Sequence, residues 1–143
     1  MGTVIAVCVS GRKGQKKRDV GQAVLVAGQG LEDDAHAGTD RQVSLLADES
    51  VDAMRGRGVE LGPGDFAENL TIKGLNLSKL QIGQRLRVGG SVLLEVTQIG
   101  KECHSACAIR EQVGDCVMPR EGVFARVITG GPVKTGDMIN ILL

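Results

Sequence analysis

Tryptophan and tyrosine are absent from this chain, and phenylalanine occurs only as Phe66 and Phe124. Proteins that grip single-stranded nucleic acid stack its bases on rows of aromatic side chains, and two rings cannot supply a row. The core must therefore be aliphatic, built from Val, Leu, Ile and Ala. An excess of one charge is lacking too. Lys plus Arg number 17 and Asp plus Glu number 17, so net charge offers no argument for a nucleic acid or a membrane surface as partner. No apolar run approaches the roughly 20 residues of a membrane span. The opening MGTVIAVCVSGRKG has no basic stretch before its apolar run and no small-residue cleavage site after it. It is expected to be a first strand rather than a secretory signal. The cytoplasm is the expected compartment, and cysteines there stay reduced unless they are catalytic or bind metal.

Glycine, by contrast, is plentiful at 21 residues, and the chain is 143 residues long. A domain of this size buries about 70% of the surface its unfolded chain exposes, so it needs neither metal nor disulfide merely to fold. One domain over residues 1–143 is expected, with no internal repeat and no linker. Short β-branched runs between glycines predict strands at Thr3–Ser10, Gln22–Ala27, Gln42–Ala47, Glu68–Gly74, Arg85–Val88, Val92–Ile99, Gly122–Thr129 and Met138–Leu143. In Val92–Ile99 the residues Val92, Leu94 and Val96 alternate with Glu95 and Thr97, which predicts one buried face. Asp48 caps a helix that ends in Arg55-Gly56-Arg57-Gly58, and Cys103–Gln112 predicts a second short helix. Gly28–Thr39 lacks periodicity and reads as a loop, and Gly62, Gly64, Gly89, Gly90, Gly130 and Gly131 read as turns. The fold class is all-β with minor α, a barrel-like domain with one or two short helices.

Chemistry concentrates in GKECHSACAIREQVGDC, Gly100–Cys116, which holds three of the four cysteines and one of the two histidines. A zinc site with three thiolates would need His104 or His36 as its fourth ligand. Neighbouring Cys103 and His104 are poorly placed to share one metal from a regular helix. Cys107 and Cys116 also fit as buried small hydrophobes, as does Cys8 inside its apolar strand. Cys103 stands apart, because it follows a strand at the predicted start of a helix. A helix N-terminus and a nearby Lys101 or His104 favour the thiolate, which is the form that attacks or binds a soft metal. His36 lies in the polar loop Asp33–Gly38 as a ligand contact, a proton donor or a backbone-bonding loop residue. Arg12, Lys13, Lys16, Lys17 and Arg18 form a basic loop, either a solvated hairpin tip or a phosphate holder.

ENLTI (Glu68–Ile72) after Gly-Asp, the L-x-x-L-x-I-G-x-x-L run Leu77–Leu86, and LEVTQ (Leu94–Gln98) leading to Cys103 together resemble the MOSC domain. This is the C-terminal domain of molybdenum cofactor sulfurases, which also occurs as small stand-alone bacterial proteins. Asp33–Gly38, Arg41–Leu46 and Val127–Ile139 carry the resemblance across nearly the whole chain. It implies a β-barrel-rich fold and one key cysteine, at the position of Cys103. That cysteine would carry persulfide sulfur or bind the molybdenum of the pterin cofactor directly. Lys101 stands where many relatives place an arginine. The resemblance further implies the molybdenum cofactor as ligand, with Cys103 as the molybdenum-binding thiolate. Contacts to the cofactor would come from His36, Arg41, Lys101 and His104, and Cys107 and Cys116 would be supporting or resolving thiols. No pyridoxal phosphate is expected in this domain. A cysteine desulfurase would be the sulfur donor and a molybdoenzyme the acceptor, with neither nucleic acid nor membrane involved.

Overall fold

The structure is a computed structural model that describes residues 1–12, 16–39, 41–55, 61–100 and 121–142. Eleven strands lie among the described residues. They are β1 (Gly2–Val9), β2 (Arg18–Asp19), β3 (Gln22–Val26), β4 (Gly30–Leu31), β5 (Val43–Ala47), β6 (Leu70–Lys73), β7 (Arg85–Val88), β8 (Val92–Ile99), β9 (Val123–Thr129), β10 (Gly131–Lys134) and β11 (Met138–Leu142). One helix, α1 (Asp48–Arg55), and a 3-10 turn at Leu77–Lys79 complete the set. The sheet runs β11-β7-β8-β9-β5-β6-β1, and β1 then pairs with β11, closing a seven-stranded barrel. Closure removes the exposed edges that an open sheet would present.

The expected alternation sets the inside of the barrel. Val92, Leu94 and Val96 point inward on β8, and Leu86 and Val88 do so on β7. Inside lies an aliphatic cluster in which Val4, Leu45, Leu70, Ile72 and Ile139 are fully shielded from solvent. Each such side chain contributes roughly 1.5–3 kcal/mol through removal from water. Neither phenylalanine belongs to this cluster. Every barrel pairing is antiparallel except β5–β6, and a parallel pair needs a crossover. The chain between β5 and β6, which includes α1, supplies that crossover. The helix begins at Asp48, as its cap predicts, and Arg55 closes it by donating from Nη2 to Asp48 (3.1 Å) and from Nε to the Leu61 carbonyl (2.9 Å).

Three short strands differ from expectation. β4 lies within the stretch predicted as loop, Gly131 opens β10 rather than a turn, and β2 takes in Arg18, the last cation of the run predicted as a basic loop. β3, β4 and β10 form a separate three-stranded sheet. Leu25, Leu31 and Val133 from that sheet join the barrel core, while Val24 and Val26 face outward. Pairing of β2 with β1, and of β4 and β10 with β3, rather than local propensity, makes these residues strands.

Candidate functional site

Strand β1 ends at Val9, and the chain then turns into the basic run. Lys17 is not part of a solvated tip. Its side chain is fully shielded, and Nζ donates to Asp34 Oδ1 at 2.7 Å. Gly64 brings this about. Its φ of +84° belongs to the left-handed region, and a Cβ there would sit 2.1 Å from the Lys17 carbonyl oxygen. Only glycine allows the 61–66 loop to approach so closely, and the Lys17 amide donates to the Gly64 carbonyl at 2.8 Å. Asp34 gathers the rest of the cluster. Its Oδ1 also accepts the Ser10 amide (3.1 Å) and its Oδ2 accepts the His36 amide (3.2 Å). Lys17 Nζ further contacts Ser10 Oγ (3.2 Å) and His36 Nδ1 (3.3 Å). Burial by itself would push the Asp34 carboxyl up. The neighbouring His36 side chain, the bonded and charged Lys17 ammonium and the Ser10 amide outweigh it, and the group is held well below the usual carboxylate range.

The same loop leads to Arg41. Thr39 Oγ1 donates to the His36 carbonyl (2.7 Å) and accepts the Arg41 amide (3.1 Å). The Arg41 guanidinium lies over the Phe124 ring, 5.5 Å from its centroid, and its Nε approaches Gln98 Oε1 at 3.5 Å. Gln98 Nε2 donates in turn to the Gly100 carbonyl (2.8 Å). Arg41 therefore sits where β8 ends. The Gly100 amide donates to the Gly122 carbonyl (2.7 Å), so the end of β8 lies against the start of β9. Among the described residues Arg41 has no carboxylate partner.

A second buried polar network lies between β1, β5 and β6. Asn69 Oδ1 accepts the Ser44 amide (3.0 Å) and Asn69 Nδ2 donates to the Cys8 carbonyl (3.0 Å). Glu68, fully shielded, accepts Thr71 Oγ1 (2.8 Å) and the Phe66 amide (3.2 Å). Burial pushes the Glu68 carboxyl up, and its neutral donors only partly offset that. Cys8 is buried, as expected, and its thiol is pushed up by burial and then by the nearby Glu68 charge. It is an inert thiol. Sequence reasoning missed the chemistry of Glu68 and Asn69. The available signal was two adjacent polar residues leading directly into the apolar strand β6.

Of the residues singled out in the sequence, His36 and Arg41 are linked through Thr39, which bonds the His36 carbonyl and the Arg41 amide. Lys101, Cys103, His104, Cys107 and Cys116, together with the helix expected at Cys103–Gln112, lie outside the described residues. Among the described residues no three His, Cys, Asp or Glu side chains gather as a metal-ligand set, and no helix is long and apolar enough to cross a membrane. Two surface clefts stand out among the described residues. One of about 720 Å³ is lined by Arg18, Val24, Glu32 and Lys134, among others. The other, about 580 Å³, is lined by Leu75, Leu77, Ile99, Glu121 and Val123, among others. Neither is lined by Lys17, His36 or Arg41, so the clustered chemistry lies outside both.

A closed seven-stranded barrel with a polar, cation-bearing loop cluster at one end defines the class. The family model for the MOSC domain matches residues 32–140, and the chain belongs to the MOSC domain family. Among solved structures it is similar to the YuaD protein from Bacillus subtilis, with a TM-score of 0.81 and 18% identity over 97% of this chain and 94% of that one. It is also similar to YiiM from Geobacillus stearothermophilus, with a TM-score of 0.75 and 21% identity over 100% of this chain and 76% of that one. For YiiM from Escherichia coli the TM-score is 0.68 and the identity 22%, over 100% and 70% of the two chains. At such identities the likeness is one of fold. None of the curated proteins matches the chain in sequence.

Proposed function

We propose that the chain is a molybdenum-cofactor-associated sulfur carrier in which Cys103 bears the transferred sulfur as a persulfide. The observation that carries this is the Arg41 guanidinium held beside the last residues of β8. Arg41 is held there by Phe124 and Gln98, and Gln98 is bonded to Gly100. Cys103 follows Gly100 by three residues, a tether of at most about 11 Å. A phosphate-bearing cofactor suits the donors at this end, because a guanidinium pairs with phosphate oxygens. Arg41 and His36 would hold its anionic groups. When bound, the cofactor supplies a molybdenum centre suited to a soft sulfur ligand.

The sulfur step uses this chain's own thiol. The Cys103 thiolate attacks the outer sulfur of a persulfide on a cysteine desulfurase. A new S–S bond forms, the donor's S–S bond breaks, and the donor cysteine leaves as its thiolate. Lys101 and His104 favour the attacking thiolate, and Cys107 and Cys116 serve as resolving thiols. A molybdoenzyme is the final acceptor.

The test is intact mass after incubation with a desulfurase and cysteine, together with molybdenum content after anaerobic purification. Wild type is expected to gain one sulfur that Cys103→Ser does not. Equal gain by both proteins sinks the carrier role. Molybdenum bound in wild type without any added sulfur would make the chain a binding and delivery module, with the Cys103 thiolate as ligand.

A further inference from the structure

The Lys17 ammonium has three N–H bonds and no lone pair. Its Nζ lies 2.7 Å from Asp34 Oδ1, 3.2 Å from Ser10 Oγ and 3.3 Å from His36 Nδ1. All three donors are thereby used inside the protein, and none remains for a bound anion. The phosphate-holding role open to the basic run therefore does not fall to Lys17. The arrangement instead constrains His36. A group that can only donate faces Nδ1, so Nδ1 accepts, and the proton of the neutral ring sits on Nε2. Asp34 does not oppose this, because its Oδ2 is 3.8 Å from Nδ1, beyond hydrogen-bond reach. That oxygen is engaged by the His36 amide instead. The His36 side chain is 21% exposed, and Nε2 stands across the ring from the buried cation.

We propose that the buried Lys17–Asp34 pair is a positioning device that locks His36 as a fixed Nε2–H donor, so that this loop accepts an oxyanion and rejects a metal cation. Metal binding through Nε2 needs a lone pair there, and the displaced proton would have to move to Nδ1, where Lys17 already donates. A metal-bound histidine ordinarily gives its second N–H to a carboxylate or carbonyl; here the second nitrogen meets a donor. His36 is thus excluded as the fourth ligand of a zinc site. The ligand is a phosphate or similar oxyanion. This rests on the reading of His36 as a ligand contact, and the experiment separates the lock from that reading.

The chain has two histidines, so long-range ring ¹H–¹⁵N correlations of the full-length protein are assigned with one variant, His104→Gln. Wild type is expected to show His36 as a single neutral tautomer protonated on Nε2. Inorganic phosphate should then move the Nε2 resonance, and zinc should leave it in place. In Lys17→Met the ring should divide between tautomers, and phosphate binding at His36 should weaken about twofold where half the rings carry the proton on Nδ1. Should Lys17→Met fail to fold, Lys17→Met combined with Asp34→Asn removes both charges together, a change buried pairs often tolerate. Wild type protonated on Nδ1, or a His36 spectrum unchanged in the Lys17 variants, overturns the lock. A correct tautomer that phosphate does not shift, or that zinc binds, overturns the oxyanion site while leaving the lock standing.

Discussion

Asp34 and Glu68 are both carboxylic acids withdrawn from water, and their protonation is pushed in opposite directions. Asp34 has an ammonium 2.7 Å away and two backbone amides on its oxygens. Glu68 has a hydroxyl and neutral amides. The desolvation penalty acts in the same direction on each, so the difference lies in the partners: the His36 side chain and the Lys17 ammonium outweigh burial at Asp34, and the neutral donors at Glu68 do not. The two sites also differ in outlook. The Asp34 cluster borders a partly exposed histidine and the loop to Arg41, whereas the Glu68 network pins β6 and its preceding loop inside the fold. One is a charged scaffold for a surface site and the other is internal framing.

The largest way to break this contrast is Asp34→Asn, which strands the Lys17 charge. A stability loss of about 3–5 kcal/mol is expected in urea unfolding near pH 7. Removing Lys17 as well should restore much of it. A loss for the double variant as large as for Asp34→Asn would mean that the carboxylate matters through its amide bonds rather than through the cation. Gly64 joins the two regions, since a side chain there meets the Lys17 carbonyl at 2.1 Å and the Cys8 Sγ at 3.4 Å. Gly64→Ala should cost about 3 kcal/mol from the left-handed φ and the backbone clash, and thermal unfolding would show it.

The pH dependence sharpens the contrast further. Asp34 titrates below its ordinary 3.8, so its contribution is present above that value and is lost as pH falls through the folded-state value. Glu68 titrates above its ordinary 4.5, so its contribution is full below that value and declines as pH rises through the folded-state value. Glu68→Gln should therefore match wild type near pH 4 and exceed its stability near pH 8. Equal stability at pH 8 would show that the carboxylate has a charged partner after all. The smallest effect is expected from Arg41→Ala, about 0.5–1 kcal/mol from the lost contact with Phe124. Oxyanion binding at the loop should nonetheless weaken clearly, and the pairing of a small stability change with a large binding change is the readout.

Much of the barrel was legible beforehand. Alternation in Val92–Ile99 and the β-branched run at the start of the chain specify strands because one or both faces must be buried. Helix α1 was legible from Asp48 and the glycines after Arg55, because helix ends need partners for their free backbone groups. β2, β4 and β10 were not, because two-residue strands and a strand containing Gly131 and Pro132 owe their form to the strands they pair with, β1 for the first and β3 for the other two. His36 and Arg41 stood out by residue type and by family resemblance. Glu68 and Asn69 served only as motif letters, because partners that hold them in the interior, Ser44 and Cys8 among them, lie far along the chain.

By itself, the sequence determined that the core is aliphatic, that the chain is built mainly of short strands, and that its motifs are those of a MOSC domain. These are matters of composition and period, which every stretch of chain carries locally. Only the tertiary structure decided that Lys17, one of five cations in a basic run, is buried. That choice depends on Asp34, 17 residues onward, on Gly64 letting a backbone pass within contact of it, and on a desolvation cost that only an opposite charge in the right place offsets.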